Sequence, residues 1–438
     1  MSTYLVTCTP AHGHVSPLLV IARHLVDSGH RVRFLTSSRY TEQVRATGAE
    51  FIALPAAADV DLDHPDRDFP ERAGLTGPAA IRFDMLHLFL APGRAQYDAL
   101  TALLAEEPVD AILTEQLFVG AVLLNERPRV ERPPIVALGI LPLGVKSTDT
   151  APFGLGVPPR SGVGGRLRNA VLTLVAEKGV FGPVSKAADT LARQVIGAPL
   201  RRFLLDWSSG ADALVQFTVP SFEYPRRDLP AAVRFVGPLP APRPSGDLPD
   251  WWGDLGGPRP VVHVTQGTVA NADFEQLVLP AIRGLAASDV LVVVSTGGRP
   301  VTALGALPTN VRAAEYLPYA QLLPRIDALV TNGGYGGVQL AISHGVPIVI
   351  AGRTEDKVEV SARVAWSGVG IDLRTNTPTA RQVADAVSRV LTDASYRAAA
   401  RRIGADIAAA PGLAGLDAVL AGLASGRIPG DAEASATL

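Results

Sequence analysis

The feature that most constrains the fold is an alternation of short apolar runs with helical segments, which occurs in each half of the chain. Runs such as Thr3–Cys8 and Val290–Ser295 are mostly apolar, whereas Pro17–Asp27 repeats its apolar residues at helical spacing and is followed by Gly29. Strands of a parallel sheet show such runs because helices cover both faces of the sheet. The pattern therefore predicts an α/β protein with two parallel sheets, each between layers of helices.

Glycine stops and changes in periodicity locate the individual elements. Strands are predicted at Thr3–Cys8, Arg31–Thr36, Phe51–Leu54, Asp110–Leu113, Ile135–Leu138, Val261–Thr265, Val290–Ser295, Ala328–Thr331 and Ile348–Ala351. Helices are predicted at Pro17–Asp27, Tyr40–Thr47, Phe274–Ala286, Val358–Trp366, Tyr396–Ala410 and Leu413–Leu423, and from Phe118 and Tyr335 onward. Ala56–Gly77 and Ser147–Gly165 are predicted to be long loops, and the acidic run Asp59–Asp68 is expected to be solvated.

A Pro-rich stretch separates the two halves. Prolines occupy every second position from Pro238 to Pro244, and such a composition forms a semi-rigid spacer. The chain of 438 residues also exceeds the usual size of one domain. We therefore expect an N-terminal domain over 1–236, a linker over 237–252 and a C-terminal domain over 253–425, whose last helix is able to pack back on the first domain. A frayed tail is expected over 426–438.

Charge and cysteine content exclude several classes of function. The net charge is −2 and the arginines are scattered, which gives no basic surface typical of nucleic-acid-binding proteins. The single cysteine, Cys8, excludes an intramolecular disulfide and is expected in the core. The apolar runs are too short or too interrupted to span a membrane, and no secretory leader is recognised. These features predict a cytoplasmic protein without a membrane span.

A histidine motif follows the first predicted strand. The segment Pro10-Ala11-His12-Gly13-His14 places His14 just past the carboxyl end of that strand, where ligands bind in open α/β sheets. An imidazole can accept a proton near neutral pH, so His14 is the candidate general base. His12 is the competing candidate. A histidine that only caps or packs against the helix is the structural alternative.

A base of this kind needs a partner that orients the ring. Asp110 and Glu115 flank another predicted strand of the same sheet. Glu115 falls at the carboxyl end, on the same side as His14, whereas Asp110 falls at the opposite end. Glu115 is therefore the predicted orienting carboxylate.

A Gly-rich turn follows the predicted strand Ala328–Thr331 and opens a helix. Its glycines are Gly333, Gly334, Gly336 and Gly337. Without side chains these residues let a phosphate approach the backbone N–H groups at the helix N-terminus. The spacing matches neither a dinucleotide fingerprint nor a P-loop, and a tight packing turn is the alternative. Thr268, after Gly267, can bind a second phosphate oxygen, and no spaced metal-ligand cluster accompanies these turns.

These motifs resemble those of nucleotide-sugar glycosyltransferases, the family of plant and bacterial UDP-glycosyltransferases and actinomycete macrolide glycosyltransferases. The resemblance covers nearly the whole chain. Its markers are Ala11–Pro17 near the N-terminus and the block from Tyr316 through Asn332–Gln339 and His344–Pro347 to Asp356-Lys357. It implies the GT-B fold, in which two Rossmann-like domains face each other across a cleft.

The resemblance also implies roles for the matching positions. His14 would remove the proton of the acceptor hydroxyl, with Glu115 at the position of the family's paired Asp. Tyr316, beside Leu317, would stack on the nucleobase, and Asp356 would bind the sugar hydroxyls. The diphosphate would be held by Gly267, Thr268, Asn332, Gly333, Gly334, Gly336 and Gly337. The family reaction is a displacement at the anomeric carbon with inversion, generally without a metal or a permanently bound cofactor.

Several positions depart from the family pattern. They are Asn332 for His, Gly336-Gly337 for Asn-Ser, Leu340 for Glu, Lys357 for Gln and Tyr319 for Gln. Asn332 can still donate a hydrogen bond, Lys357 adds a cation, and Gln339 is the predicted substitute for the ribose-binding Glu. UDP-glucose is the default donor of the family and a TDP-sugar is the alternative.

The combined prediction is an inverting glycosyltransferase that moves a sugar, by default glucose, from a UDP-sugar to a hydroxyl of an apolar small molecule such as a polyketide, macrolide or phenolic. The acceptor pocket is expected to form from Phe83–Leu90 and the region around Leu141–Gly156, and burial of these apolar residues in the core is the alternative. Two alternatives stay open. A nucleotide-sugar epimerase uses the same architecture, and the departures at Asn332 and Leu340 also fit a non-catalytic partner protein.

Overall fold

The structure, a computed structural model, describes residues 1–62, 65–241, 248–268 and 271–426. Seven parallel strands of the described chain form the first sheet, in the order β3-β2-β1-β4-β5-β6-β7. They are β1 (Thr3–Thr7), β2 (Arg31–Thr36), β3 (Glu50–Ala53), β4 (Ala111–Glu115), β5 (Ile135–Gly139), β6 (Ala213–Gln216) and β7 (Val233–Phe235). The accompanying helices are α1 (His12–Asp27), α2 (Thr41–Ala46), α3 (Pro65–Asp68), α4 (Gly77–Phe83), α5 (Gly93–Glu106), α6 (Val119–Asn125), α7 (Gly162–Leu174) and α8 (Gly182–Ile196).

Six parallel strands, again counted over the described residues, form the second sheet in the order β10-β9-β8-β11-β12-β13. They are β8 (Val261–Thr265), β9 (Leu291–Ser295), β10 (Val311–Ala314), β11 (Ala328–Thr331), β12 (Ile348–Ile350) and β13 (Gly370–Asp372). The helices are α9 (Val278–Leu285), α10 (Tyr319–Leu322), α11 (Tyr335–Ser343), α12 (Lys357–Trp366), α13 (Ala380–Thr392), α14 (Ala394–Ala409) and α15 (Leu413–Ala424). Successive strand residues pack into cores on opposite faces of each sheet, as Leu5 and Val6 of β1 do. The predicted α/β architecture with two parallel sheets is confirmed.

Most predicted element boundaries are close to those observed, and the main difference concerns α1. This helix begins at His12 rather than at Pro17, so His14 belongs to its first turn. Pro17 lies in the second turn of α1, where it supplies no N–H for the Gly13 carbonyl, and the helix continues through it to Asp27. Because the helix begins early, His14 lies on a helix rather than in a loop.

The two predicted loops differ from each other. Between Ser147 and Ser161 the chain has turns and bends without regular elements. The earlier loop contains α3, and its acidic residues are more engaged than the solvation prediction implies, because Asp59 accepts a hydrogen bond from Ser38 and Asp61 pairs with Arg39. Residues 63–64 of that run lie outside the described chain, as do 242–247 of the predicted linker and 427–438 of the predicted tail.

The last helix packs on the first sheet's side of the molecule. Leu416 and Leu420 of α15 share a core with Val15 and Leu18 of α1. The Gly412 N–H donates to the Val236 carbonyl at 2.6 Å, just after β7. Over the described residues, no single helix has the length and apolar character to cross a membrane, and α14 and α15 pass that test only jointly, as a pair bent by 42°.

Candidate active site

His14 and Glu115 meet at the carboxyl edge of the first sheet. β1 and β4 are neighbours in register, with Thr7 opposite Thr114, so the chain leaves both strands at the same edge. Glu115 is the last residue of β4. The Nδ1 atom of His14 lies 3.0 Å from Oε2 of Glu115. The structure thus brings together the two residues predicted to form the base and its orienting partner.

The Glu115 carboxylate is fully buried, and both of its oxygens have partners. Oε1 accepts hydrogen bonds from the Thr9 N–H at 3.1 Å and from the Thr9 hydroxyl, and Oε2 accepts from the Leu117 N–H at 2.7 Å. Burial acts to raise the pKa of Glu115, but the charge of His14 and the hydrogen bonds from His14, Thr9 and Leu117 outweigh it and lower the pKa below its usual value. Glu115 is therefore ionised at neutral pH.

This pairing determines the tautomer of His14. A carboxylate only accepts hydrogen bonds, so Nδ1 of His14 carries a proton and Nε2 of the neutral ring holds the lone pair. The His14 side chain is 13% exposed, so it is not sealed in the core. The competing residues are placed differently. His12 is exposed, with its Nε2 3.2 Å from the Ser16 hydroxyl, and Asp110 accepts from the Thr3 N–H at the opposite edge of the sheet.

The Gly-rich turn lies at the carboxyl edge of the second sheet, between β11 and α11. Gly333 has a φ of 102°, which favours glycine, and a Cβ atom there would lie 2.9 Å from Ile350. Cβ atoms at Gly334, Gly336 and Gly337 would meet no heavy atom within 4 Å. The first turn of α11 therefore faces open space, and its N–H groups suit an anionic ligand.

Asn332 joins this turn to the one after β8. Its Nδ2 atom donates to the Gln266 carbonyl at 2.5 Å, directly before Gly267 and the exposed Thr268. Gln266, Asn332 and Lys357 line one small cleft. The predicted diphosphate residues of the two turns are thus neighbours, and Asn332 holds the turns together.

Asp356 and Lys357 lie at the N-terminus of α12, beside the Gly-rich turn. Burial raises the pKa of the Asp356 carboxyl to about 6. Burial lowers the pKa of the Lys357 ammonium to about 8, and Lys357 Nζ contacts the exposed Glu355 carboxylate. Two ionisable groups with displaced pKa values at the edge of a sheet are typical of a functional site.

Asp356 also connects the two halves of the site. The charge of His14 acts on the Asp356 carboxyl and lowers its pKa, although burial has the larger, opposite effect. Electrostatic influence of this kind requires the two side chains to be near each other. The histidine of the first sheet and the acidic residue of the second therefore lie near each other.

The remaining predicted donor residues are divided between surface and interior. Tyr316 is 65% exposed, and its ring lies over the backbone of Gly298, where a Cβ atom would come within 2.2 Å of the tyrosine hydroxyl. Leu317 is buried in the core of the second half. Gln339, the predicted ribose substitute, is also buried, and its Nε2 atom donates to the Phe217 carbonyl at 3.1 Å. This hydrogen bond between Gln339 and Phe217 joins the two halves of the molecule.

The predicted acceptor segments are also divided. Residues Leu143–Ser147 and Thr150–Phe153 line a cavity of about 50 Å³ together with Tyr224 and Arg363. By contrast, the 83–90 segment packs against α8, and its residues Met85, Leu88 and Leu90 are buried in the core. Across the described ranges, no group of three or more His, Cys, Asp or Glu side chains is placed to hold a metal ion.

Sequence reasoning missed three contributors to the site. Thr9 binds Glu115, and its position just past the carboxyl end of β1, two residues after Thr7, is the signal that could have identified it. Glu223 and Arg363 form a buried ion pair between the two halves at 2.9 Å. No local signal identifies this pair, because its partners lie 140 residues apart in the chain.

Comparisons with known proteins agree with this architecture. The model of the erythromycin biosynthesis protein CIII-like C-terminal domain matches residues 280–419. A 4'-demethylrebeccamycin synthase of Lentzea aerocolonigenes is 43% identical over 92% of this chain and 95% of its own length. UDP-glycosyltransferase 2 of Phaeomoniella chlamydospora is 36% identical over 90% of this chain and 89% of its own.

The fold has a counterpart among solved structures. The calicheamicin glycosyltransferase CalG4 superposes with a TM-score of 0.71 at 23% identity, over 98% of this chain and 99% of that one. This likeness shows the two-sheet GT-B fold, and the sequence relatives show the family. The chain belongs to the glycosyltransferase family that includes the UDP-glycosyltransferases and the antibiotic glycosyltransferases of actinomycetes.

Proposed function

We propose that this glycosyltransferase moves a sugar from a nucleoside diphosphate to a hydroxyl of an apolar small molecule, with inversion at the anomeric carbon and His14 as general base. Glucose carried by UDP is the first candidate donor. The observation that carries the proposal is the cleft itself. His14, paired with buried Glu115, lies near Asp356, which is beside an open helix N-terminus on the other sheet.

The chemistry uses each of these groups once. Nε2 of His14 accepts the proton of the acceptor hydroxyl as the oxygen forms a bond to the anomeric carbon. The bond from that carbon to the diphosphate oxygen breaks, and its electron pair leaves with the nucleoside diphosphate. Glu115 stabilises the imidazolium that forms, and attack opposite the leaving group inverts the configuration. The products are the glycoside and the nucleoside diphosphate.

The donor side is supported by charge and by open backbone. N–H groups of the first α11 turn and the Lys357 ammonium supply positive potential where the diphosphate gains charge. In this proposal Asp356 accepts hydrogen bonds from sugar hydroxyls, and the exposed ring of Tyr316 stacks on the base. UDP as the carrier is supported by the name of the Phaeomoniella relative. A TDP-sugar is the alternative donor, and we propose that catalysis requires no metal.

The acceptor side is supported by an exposed apolar surface. Helix α7, which follows the 141–156 region, exposes Val163, Leu167, Val171 and Leu174 on one side. Exposed apolar patches on proteins commonly mark binding sites for apolar ligands or partners. An apolar acceptor that carries one reactive hydroxyl fits this surface better than a free sugar does.

Mass spectrometry of the purified protein with UDP-glucose and a panel of phenolic, macrolide and polyketide acceptors tests the proposal. We expect a hexose adduct, at least about 100-fold less adduct with His14→Ala, and a comparable loss with Glu115→Gln, because proton transfer by a positioned base supplies about 10²–10⁴ in rate. His12→Ala is the matched control, since His12 lies on the same helical turn and should retain activity.

The outcomes separate the competing functions. Undiminished turnover by His14→Ala would show that another group is the base. Conversion of the nucleotide sugar without an acceptor would favour an epimerase. Failure of UDP and TDP to raise the melting temperature would favour a non-catalytic partner protein, because a ligand that binds the native state must stabilise it.

A further inference from the structure

A cluster of buried charges joins the two halves of the molecule. Glu223, Arg363 and Glu359, here called the Glu–Arg–Glu bridge, are 2%, 1% and 4% exposed. Arg363 Nη2 lies 2.9 Å from Glu223 Oε2, and Arg363 Nη1 lies 2.7 Å from Glu359 Oε2. Glu223 follows β6, whereas the other two residues are on α12. Buried charges are costly unless paired, so this arrangement needs every partner it has.

Each carboxylate of the bridge has a second oxygen, and both second oxygens bind the same loop. Oε1 of Glu359 accepts hydrogen bonds from the N–H groups of Gly154 at 2.9 Å and Gly156 at 2.8 Å. Oε1 of Glu223 accepts from the Leu143 N–H at 2.9 Å. The segment 141–156, here called the 141–156 loop, is therefore tied to the bridge near both of its ends.

The glycines of this loop are required by that contact. Gly154 and Gly156 have φ values of 95° and 59°, a region that other residues rarely adopt. A Cβ atom at Gly156 would lie 2.7 Å from a methyl group of Val358 and 2.9 Å from its carbonyl oxygen. Close packing on α12 and two N–H groups aimed at one carboxylate oxygen thus occur at the same place.

Helix α12 connects this loop to the donor side. Asp356 and Lys357 lie at its first turn, and Glu359 follows in the same turn. The Gly-rich turn is attached as well, because the Tyr335 hydroxyl donates to Glu223 Oε1 at 3.3 Å. A helix is rigid over one turn, so the position of the sugar-binding residues and that of the loop are mechanically linked.

We infer that Glu359 is a positioning residue that holds the 141–156 loop in place for the acceptor while α12 holds the donor. The inference rests on the proposed function in taking this loop as part of the acceptor side. The Glu359 N–H donates to the Asp356 carbonyl at 2.9 Å, and the charge of Glu359 acts to raise the pKa of the Asp356 carboxyl. The loop backbone is the other route by which Glu359 acts on the reaction, and the exchange of its amides reports on that route alone. A bridge that only stabilises the fold is the competing explanation.

Hydrogen exchange of the unliganded protein tests the contact without reference to activity. In Glu359→Ala, Arg363 keeps its pair with Glu223, so the fold is expected to survive. We expect the Gly154 and Gly156 amides to exchange at least about tenfold faster, since each loses its charged acceptor. Asp417→Asn is the matched control, because Asp417 pairs with His24 across the same two halves at 2.9 Å and does not touch the loop. Unchanged exchange in Glu359→Ala would overturn the inference.

Kinetics separate positioning from general stability. We expect KM for the acceptor to rise about tenfold in Glu359→Ala, with Kd for UDP changed by less than about twofold and kcat at saturating acceptor by less than about threefold. Glu359→Gln keeps an oxygen for the two loop N–H groups and should restore part of the protection and of the acceptor KM. Parallel losses in Kd for UDP, kcat and melting temperature would identify a purely structural bridge. If no acceptor reacts with the wild type, the proposed function fails while the exchange test still stands.

Discussion

Single residues of the site are tuned by burial rather than by unusual chemistry. Glu115 stays ionised inside the protein because His14, Thr9 and Leu117 surround it with donors. Lys357 is paired with the exposed Glu355 carboxylate, but burial still lowers its pKa to about 8. Burial therefore leaves Glu115 charged at neutral pH, because its donors outweigh the desolvation, but it destabilises the charged form of Lys357. The carboxylate keeps a constant charge at neutral pH, and the ammonium titrates just above it.

The titration of Lys357 leads to a pH-dependent affinity for nucleotide. A bound diphosphate favours the charged ammonium, so binding above pH 8 requires uptake of a proton, and the affinity falls as pH rises. We expect Kd for UDP to be nearly constant from pH 6.5 to 7.5 and to rise by up to about tenfold per pH unit above pH 8. Isothermal titration calorimetry in buffers of different ionisation enthalpy measures both affinity and proton uptake.

Lys357→Met supplies the comparison for this experiment. It removes the titrating group but keeps an unbranched side chain in the cleft, so UDP binding should be weaker and nearly independent of pH between 7 and 9.5. An equally steep pH dependence in the variant would assign the effect to another group, and Lys357 would then have no role at the diphosphate.

At the scale of elements, the strand ends carried most of the predictive information. The bounds of Arg31–Thr36, Val261–Thr265 and Ala328–Thr331 were predicted as observed, because apolar runs with glycine or polar ends locate buried strands well. Glu115 was predicted beside His14 by the same logic, since parallel neighbours end at one edge. Glu223 and Glu359 were not predicted, because nothing local distinguishes a carboxylate paired across the molecule from one in water.

The first turn of α11 allows a test at this scale. Gly336 lies in the helix with open space around it, so Gly336→Ala should raise the free energy of unfolding by about 0.5–1 kcal/mol through helix propensity. The same methyl group would stand among the N–H groups proposed to bind the diphosphate, so Kd for UDP should rise. Gly164→Ala in α7 is the control, since that glycine is also helical and open but lies outside the proposed donor site. Denaturant unfolding of both variants measures the change in stability, and UDP titration measures the change in affinity. Unchanged UDP affinity in Gly336→Ala would contradict a diphosphate site at the first turn of α11.

At the scale of the whole molecule, two of the junctions between the halves differ in character. The Glu–Arg–Glu bridge is polar and lies beside the cleft. The second junction is apolar, because α15, at the end of the described chain, completes the core that α1 forms on the first sheet. The end of the described chain therefore packs against its beginning. The helix that carries His14 contacts residues more than 390 positions later in the sequence, and the His24–Asp417 pair is one such contact.

This return makes the stability of the first half depend on the last helix. Leu416 is fully buried against that core, so Leu416→Ala should lower the free energy of unfolding by about 2–5 kcal/mol, the usual loss for a buried leucine with its cavity. Leu423→Ala, at a partly buried position of the same helix, should lose clearly less. Urea unfolding measures the loss, and hydrogen exchange locates it. Faster exchange in α1 and β1 is expected, whereas loss of protection confined to the second sheet would mean that α15 belongs energetically to the C-terminal half alone.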